Sequence, residues 1–292
     1  MSALAAALRG LAILILLLVC TERPLATAGF SELEETVHHH ESALDARVGV
    51  LVREVGTERR WAHRADERFL MNSAVKALIC AAVLDAAERG ALSLDEALPI
   101  RASDLVPHAP LAERRVGEAV EIAELCRAAV DLSDNTAANL LIARLGGPAA
   151  VTAFLRGLGD AHTRLDRMEP ELNVWAEGDE RDTTTPEAVL LTLELLLLGD
   201  ALAPGGRAQL TDWMSRGSYT GAFLRAAAPP EWSIADKSGA GEVTRTLVAL
   251  VSPPGRAPWL VAIFVSEAEV DFVTRNAAVA SISAAVVAAL RD

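Results

Sequence analysis

Apolar and polar positions alternate with two different periods along the chain, and the change of period marks out the architecture. In "FSELEETVHHHESAL", Phe30, Leu33, Val37 and Leu44 fall near helical spacing, which predicts one amphipathic helix over residues 30–44. "RVGVLVREVG" and "TERRWAHRA" read as two short strands joined at "VGT". A long helix-rich middle follows from about residue 73 to 213, in "ALICAAVLDAAERG", "VEIAELCRAAV", "NTAANLLIARLGG", "PAAVTAFLRGLG" and "TPEAVLLTLELLLLGD". Its GG and LG endings stand where helix C-caps belong. Strand character returns in "EWSIADKSGAG", "TRTLVALVSPPG" and "PWLVAIFVSE", ahead of a closing helix in "NAAVASISAAVVAALRD". Strands at both ends with helices between predict an α+β fold of two lobes. In it, one five-stranded antiparallel sheet is built from both termini (29–65 and 214–292) and a helical lobe from 66–213. The cleft between the lobes is the natural place for a site.

The N-terminus departs from this pattern. "MSALAAALRGLAILILLLVCTERPLATAG" carries Arg9, an apolar run from Leu11 to Cys20 and a small-x-small "ATA" at 26–28. That order reads as a signal peptide removed after Ala28, and the run is short for a bilayer span. Export to the periplasm or the exterior is the expectation, with no stable membrane association after cleavage. The rival is a lipid anchor at Cys20, against which Val19 stands where a small residue is usual.

The composition, 51% hydrophobic and 23% charged over 292 residues, is that of a globular protein. The formal charge of −13 becomes one unit more negative once Arg9, Arg23 and Glu22 are removed with the leader. Nucleic acid and anionic membranes are therefore poor partners. Cys80 and Cys126 then remain as an even pair, open between a disulfide and two buried thiols. His38, His39 and His40 point about 100° apart on a helix. They cannot all reach one ion and read as a solvated face, so no metal is expected.

Of the 27 basic residues only Lys76 and Lys237 are lysine. In "SAVK", Ser73 and Lys76 share one face at the start of a helix that is apolar nearly all round. A cation there opposes both the helix dipole and burial, and each lowers its pKa. Arginine could not serve, since only an ammonium can give up its proton and act as a base beside a serine nucleophile. Lys237 opens "KSGAG" in a strand whose small residues let a ligand lie against it, and a carboxylate is the expected guest. "SDN" at 133–135 is by itself an ordinary helix-capping sequence. The acidic stretch "RMEPELNVWAEGDERDTTTP" reads as a long surface loop, a type that is often functional.

Taken together, S-x-x-K, S-D-N and K-S-G resemble the signature of the class A serine β-lactamases, with Ser for Thr in the third motif. The likeness extends through "ERFLMNSAVKALICAAVL", "ELCRAAVDLSDNTAANLLIARLGGPAAVTAFL", "TRLDRMEPELN", "DERDTTTP" and "WSIADKSGAG", in the family's order. It implies Ser73 as the nucleophile, and Lys76 or Glu169 through a water as the base for acylation. Glu169 with Asn173 would activate the deacylating water, and Ser133 would pass a proton to the lactam nitrogen. Asn135 would contact the substrate's acylamide, while Lys237, Ser238 and Arg245 would bind its carboxylate. The N–H groups of Ser73 and Ala240, next to Gly239, would form the oxyanion hole. Arg167 and Asp182 would tie the loop over 167–182, and a Cys80–Cys126 disulfide is implied.

The sequence departs from the family pattern at several points. His108 replaces a usual tyrosine at the cleft mouth, and Asn72, Leu70 and Met168 are unfamiliar at their positions. The turn "GAGEVTR" is one residue short before Arg245. The implied protein is a monomer without cofactor whose partner is a small β-lactam. A cell-wall peptidase or a covalent β-lactam sensor would share the Ser-Lys, Ser-x-Asn and Lys-Ser-Gly groups but lack the Glu169 and Asn173 pair.

Overall fold

The computed structural model describes residues 29–291, so the leader and Cys20 lie outside the described residues. In chain order the elements are α1 (Ser31–Ala43), β1 (Arg47–Glu54), β2 (Arg60–His63), β3 (Phe69–Leu70), α2 (Val75–Glu88), β4 (Ala97–Pro99), β5 (Ala119–Glu121) and α3 (Ile122–Asp131). There follow α4 (Asn135–Leu145), α5 (Pro148–Gly157), β6 (Thr183–Thr184), α6 (Pro186–Leu197), α7 (Pro204–Ser215), α8 (Leu224–Ala227), β7 (Ser233–Ala240), β8 (Arg245–Ser252), β9 (Trp259–Ser266) and α9 (Phe272–Arg291). Five strands make one antiparallel sheet in the order β2-β1-β9-β8-β7. The first long strand therefore pairs with the last, Val50 opposite Ile263.

Both faces of this sheet are covered, which is why its strands read as nearly continuous apolar runs. Val48, Val50 and Val52 of β1, with Leu247, Val251, Val261 and Ile263, point to one side and pack with α1 and α9. Leu51, Val248, Leu250, Leu260, Ala262 and Phe264 point to the other, into the core shared with the helical middle. On that side β1 has Gly49, where a Cβ would sit 2.4 Å from the Phe69 ring. The glycine is what lets β3 lie on the sheet. Helix α9 is long and apolar enough to cross a bilayer by composition, yet Val279, Ile282, Val286 and Leu290 are buried in this core. Asp271 starts it by accepting the Thr274 N–H at 2.7 Å.

Helix α2 runs through the middle of the second core, with Val75 through Leu84 all buried. The pairs β3 with β6 and β4 with β5 were not predicted. Segments of two or three residues are too short to show a period. One expectation needs correcting. Cys80 and Cys126 are buried free thiols in this structure, not a disulfide, with Cys80 Sγ donating to the Cys126 carbonyl at 3.6 Å. The two side chains pack as small apolar groups where α2 meets α3. Burial is the main reason the Cys126 thiol is pushed up well above its ordinary pKa.

Candidate active site

Ser73 sits in a single 3₁₀ turn, Asn72–Ala74, that leads directly into α2. One turn later Lys76 is fully buried, and its Nζ donates to the Ser133 carbonyl at 2.8 Å and to Asn135 Oδ1 at 2.5 Å. It also donates to Ser133 Oγ at 3.4 Å and forms an ion pair with Glu169 Oε1 at 3.0 Å. Burial pushes the Lys76 pKa down, while the neighbouring Glu169 and Asp134 oppose that shift.

The "SDN" corner divides its labour in a way that composition could not reveal. The cap of α4 is Asp134, whose Oδ1 accepts the Ala137 N–H at 2.8 Å. Its other oxygen takes the N–H groups of Leu111 and Ala112 at 2.9 and 3.0 Å, which pins the preceding loop to the helix. Ser133, in the left-handed region at φ 55°, is thereby turned into the cleft together with Asn135. Asn135 Nδ2 donates to the Pro107 carbonyl at 2.8 Å.

From the opposite wall, Lys237 Nζ donates to Ser133 Oγ at 3.1 Å and to the Ser238 carbonyl at 2.7 Å. The Ser133 hydroxyl is thus bracketed by the only two lysines of the chain. Burial is the main reason the Lys237 pKa is lowered far, with the charges of Lys76 and Arg245 adding to it. Strand β7 presses directly on the Ser73 turn. A Cβ on Gly239 would lie 2.5 Å from Thr246 Oγ1 and 2.7 Å from both Asn72 Cβ and the Met71 carbonyl oxygen.

The acidic loop brings Glu169 under the cleft floor. Asn139 of α4 clamps its backbone, accepting the Glu169 N–H and donating to the Glu169 carbonyl, both at 2.8 Å. Asn173 Nδ2 donates to Glu169 Oε2, whereas Oε1 is buried against the Lys76 ammonium. The loop's ends are tied where expected. Arg167 Nε meets Asp182 Oδ2 at 2.5 Å, and Asp182 Oδ1 accepts the N–H groups of Asp166 and Arg167.

The cleft, about 350 Å³ in volume, is lined by Ser73, Ser133, Asn135, Asn173, Ser238, Gly239, Ala240 and Arg245, with His108, Tyr219 and Phe272 at its mouth. Despite the shortened turn before it, Arg245 reaches the cleft. Its Nη1 donates to the Gly239 carbonyl at 2.6 Å, and Asn276 Oδ1 accepts from Nε and Nη2. Burial, with Arg275 nearby, lowers the Arg245 pKa to about 10. His108 bonds the Leu132 carbonyl at 3.1 Å, and its ring meets Tyr219 edge-on, centroids 5.5 Å apart. The aromatic surface whose loss the histidine implied is therefore supplied by the chain's one tyrosine, 111 positions further along the sequence.

A hydroxyl, two buried amines and a buried carboxylate converging on one cleft are equipped for acyl transfer with proton relay. The comparisons with known proteins agree on the lineage. The model of a family described as "Beta-lactamase enzyme family" matches residues 32–290. The chain belongs to the class A β-lactamase family. It is 52% identical over 273 residues to a β-lactamase of Rhodobacter capsulatus, covering 92% of this chain and 93% of the relative. It is 42% identical to β-lactamase AER-1 of Aeromonas hydrophila, covering 89% and 86%. Among solved structures, the class A β-lactamase of the last common ancestor of Gram-negative bacteria superposes with a TM-score of 0.86 at 48% identity, over 89% of this chain and 100% of that one. A β-lactamase from Xanthomonas campestris gives 0.85 at 43%, over 88% and 97%.

Sequence reasoning passed over three residues that this class A site uses. Asn139, and Asp134 beyond its capping of α4, act on the backbone of distant segments, which leaves no sequence pattern. Asn72, flagged only as unfamiliar, is fully buried with φ 49°. It donates from Nδ2 to Asn173 Oδ1 at 3.2 Å and accepts from Thr244 Oγ1 at 2.8 Å, which joins the Ser73 turn to the acidic loop and to the β7–β8 hairpin.

Proposed function

We propose that the chain is an exported hydrolase that opens the β-lactam ring of penicillin- and cephalosporin-type compounds through an acyl-enzyme on Ser73, and that it confers resistance to them. The observation that carries the deacylation half is the state of Glu169. Its Oε2 is held by Asn173, while Oε1, buried, meets only the Lys76 ammonium, at 3.0 Å. A buried acceptor of this kind suits a water that must lose a proton as it attacks.

In the first step Ser73 Oγ bonds to the lactam carbonyl carbon. Its proton goes to Lys76, or through a water to Glu169, and the 3.0 Å contact lets these two groups share it. As the C–N bond breaks, the nitrogen takes the Ser133 hydroxyl proton, which Lys76 can replace. Backbone N–H groups of Ser73 and Ala240 would stabilise the oxyanion. Lys237, Ser238 and Arg245 present cationic and hydroxyl groups to the substrate carboxylate. In the second step a water, deprotonated by Glu169, attacks the acyl carbon and releases Ser73.

Glu169→Ala should leave Ser73 able to acylate, with Lys76 as the base, and slow turnover by about 10²–10⁴-fold, the usual worth of a positioned base. Mass spectrometry with a chromogenic cephalosporin should then show the adduct accumulating on Ser73. Absence of a persistent adduct in a variant that no longer turns over would remove Glu169 from the deacylation step.

A further inference from the structure

Outside the cleft, three ligand-type side chains meet between α1 and the edge of the sheet. His38 and Glu41 are one turn apart on α1 and so share a face. His63 closes β2 and reaches the same point. Their ligand atoms all lie within 4.8 Å of one another. Glu41 Oε2 is 3.0 Å from His63 Nε2, and the His38 and His63 ring centroids are 4.9 Å apart at 85°.

The group is already oriented. Glu41 Oε1 accepts the Val48 N–H at 3.0 Å and Arg64 Nε at 2.7 Å, which turns Oε2 towards the imidazoles. The Arg64 charge is itself answered by Glu67 at 2.9 Å. The His63 ring stacks on Trp61, 11° from parallel. Glu34 stands 4.0 Å from His38, placed as the outer carboxylate that commonly backs a metal-bound imidazole.

Two imidazoles and a carboxylate are the donor set of a borderline divalent ion, bound at about 2.0–2.2 Å in a tetrahedron that a water can complete. The exposed His38 has the freedom to close the remaining distance. We infer that His38, Glu41 and His63 form a zinc-class cation site that ties α1 to β2, separate from the catalytic cleft. The histidine triplet does not bind as a unit. Only its first member is used, and the second imidazole arrives from a strand 25 residues on.

The test is a zinc titration of the folded protein against a chromophoric chelator, with the thermal midpoint followed in parallel. One zinc per chain with a dissociation constant of micromolar or below is expected, and the midpoint should rise with zinc concentration. His63→Gln and His38→Ala should each weaken binding at least about tenfold. His39→Ala and His40→Ala should leave it unchanged. Lactam turnover, which involves none of these residues, checks that each variant is folded, and the exposed His38→Ala serves if a change at His63 disturbs the fold. The site is refuted if zinc binding fails to reach one equivalent, survives His63→Gln and His38→Ala undiminished, or disappears with His39→Ala.

Discussion

At the scale of single residues, the site depends on side chains that never meet a substrate. Asn72 ties Asn173 to Thr244, and Asn173 in turn holds Glu169. A hydrogen bond of this kind is worth about 1–1.5 kcal/mol, or roughly tenfold in rate if it is lost only in the transition state. Asn72→Gly, which tolerates the positive φ, is expected to slow deacylation by about that factor and leave the acylation burst near its original rate. Rapid-quench measurement of both phases decides it. An equal loss in both would mean that Asn72 acts through the Ser73 turn instead. Gly239 makes the reverse case, in which adding an atom does the harm. With three neighbours at 2.5–2.7 Å, two of them fixed by backbone or by a β-strand, Gly239→Ala must push β7 off the nucleophile's turn. A rise in KM together with a fall in kcat of more than tenfold is expected. An alanine variant with unaltered kinetics would show that the contact between β7 and this turn is loose.

At the scale of elements, the segment that carries Glu169 is held mainly by carboxylates. Asp160 accepts the N–H groups of His162 and Thr163 and the Thr192 hydroxyl, fixing the approach to the loop against α6. Burial alone would raise its pKa, but these bonds outweigh burial and lower it. Asp179 is lowered to about 2, chiefly by its pairing with Arg181. For a carboxyl lowered in the folded state, the stabilisation is present above its ordinary pKa and is lost as pH falls through the folded value. The loop should therefore loosen as pH drops from about 4 towards 2, with the exposed Asp179 pair contributing little at high salt. Asp160→Asn is expected to cost about 1–2 kcal/mol at pH 7 and almost nothing near pH 2. Thermal midpoints of the two proteins across that range should converge, and parallel curves would mean that the charge on Asp160 does not contribute. The N-terminal edge of the loop was legible because Glu169, Leu172 and Asn173 keep a fixed spacing. Its anchors at Asn139 and Asp160 were not, since Asn139 bonds the backbone of a distant segment and Asp160 reaches α6 through the Thr192 hydroxyl.

For the whole molecule, what could be read from the chain was whatever is periodic or local. Helix α1, the five strands of the sheet and the long helices announce themselves by spacing, and Ser73 with Lys76 by one helical turn. The short strands β3 to β6 have no period to show. Tyr219 beside His108, Asn72 beside Thr244 and His38 beside His63 are created by tertiary packing over separations of 25 to 172 residues. The thiols show the opposite error, because the resemblance supplied a bond where this structure has apolar packing.

The pairing of β1 with β9 also sets an order of events. β1 closes a hairpin with β2 at once, but its other neighbour is β9, where Val50 meets Ile263, and α9 seals the same face after that. Contacts so distant in sequence are slow to form and cannot form at all until β9 has been made. Until then the β7–β8 hairpin that bears Lys237 and Arg245 cannot join the β1–β2 hairpin, because β9 lies between them in the sheet. The wall of the cleft that carries these two cations is therefore assembled last, and a chain cut before β9 would keep Ser73 and Lys76 but lack the wall that faces them.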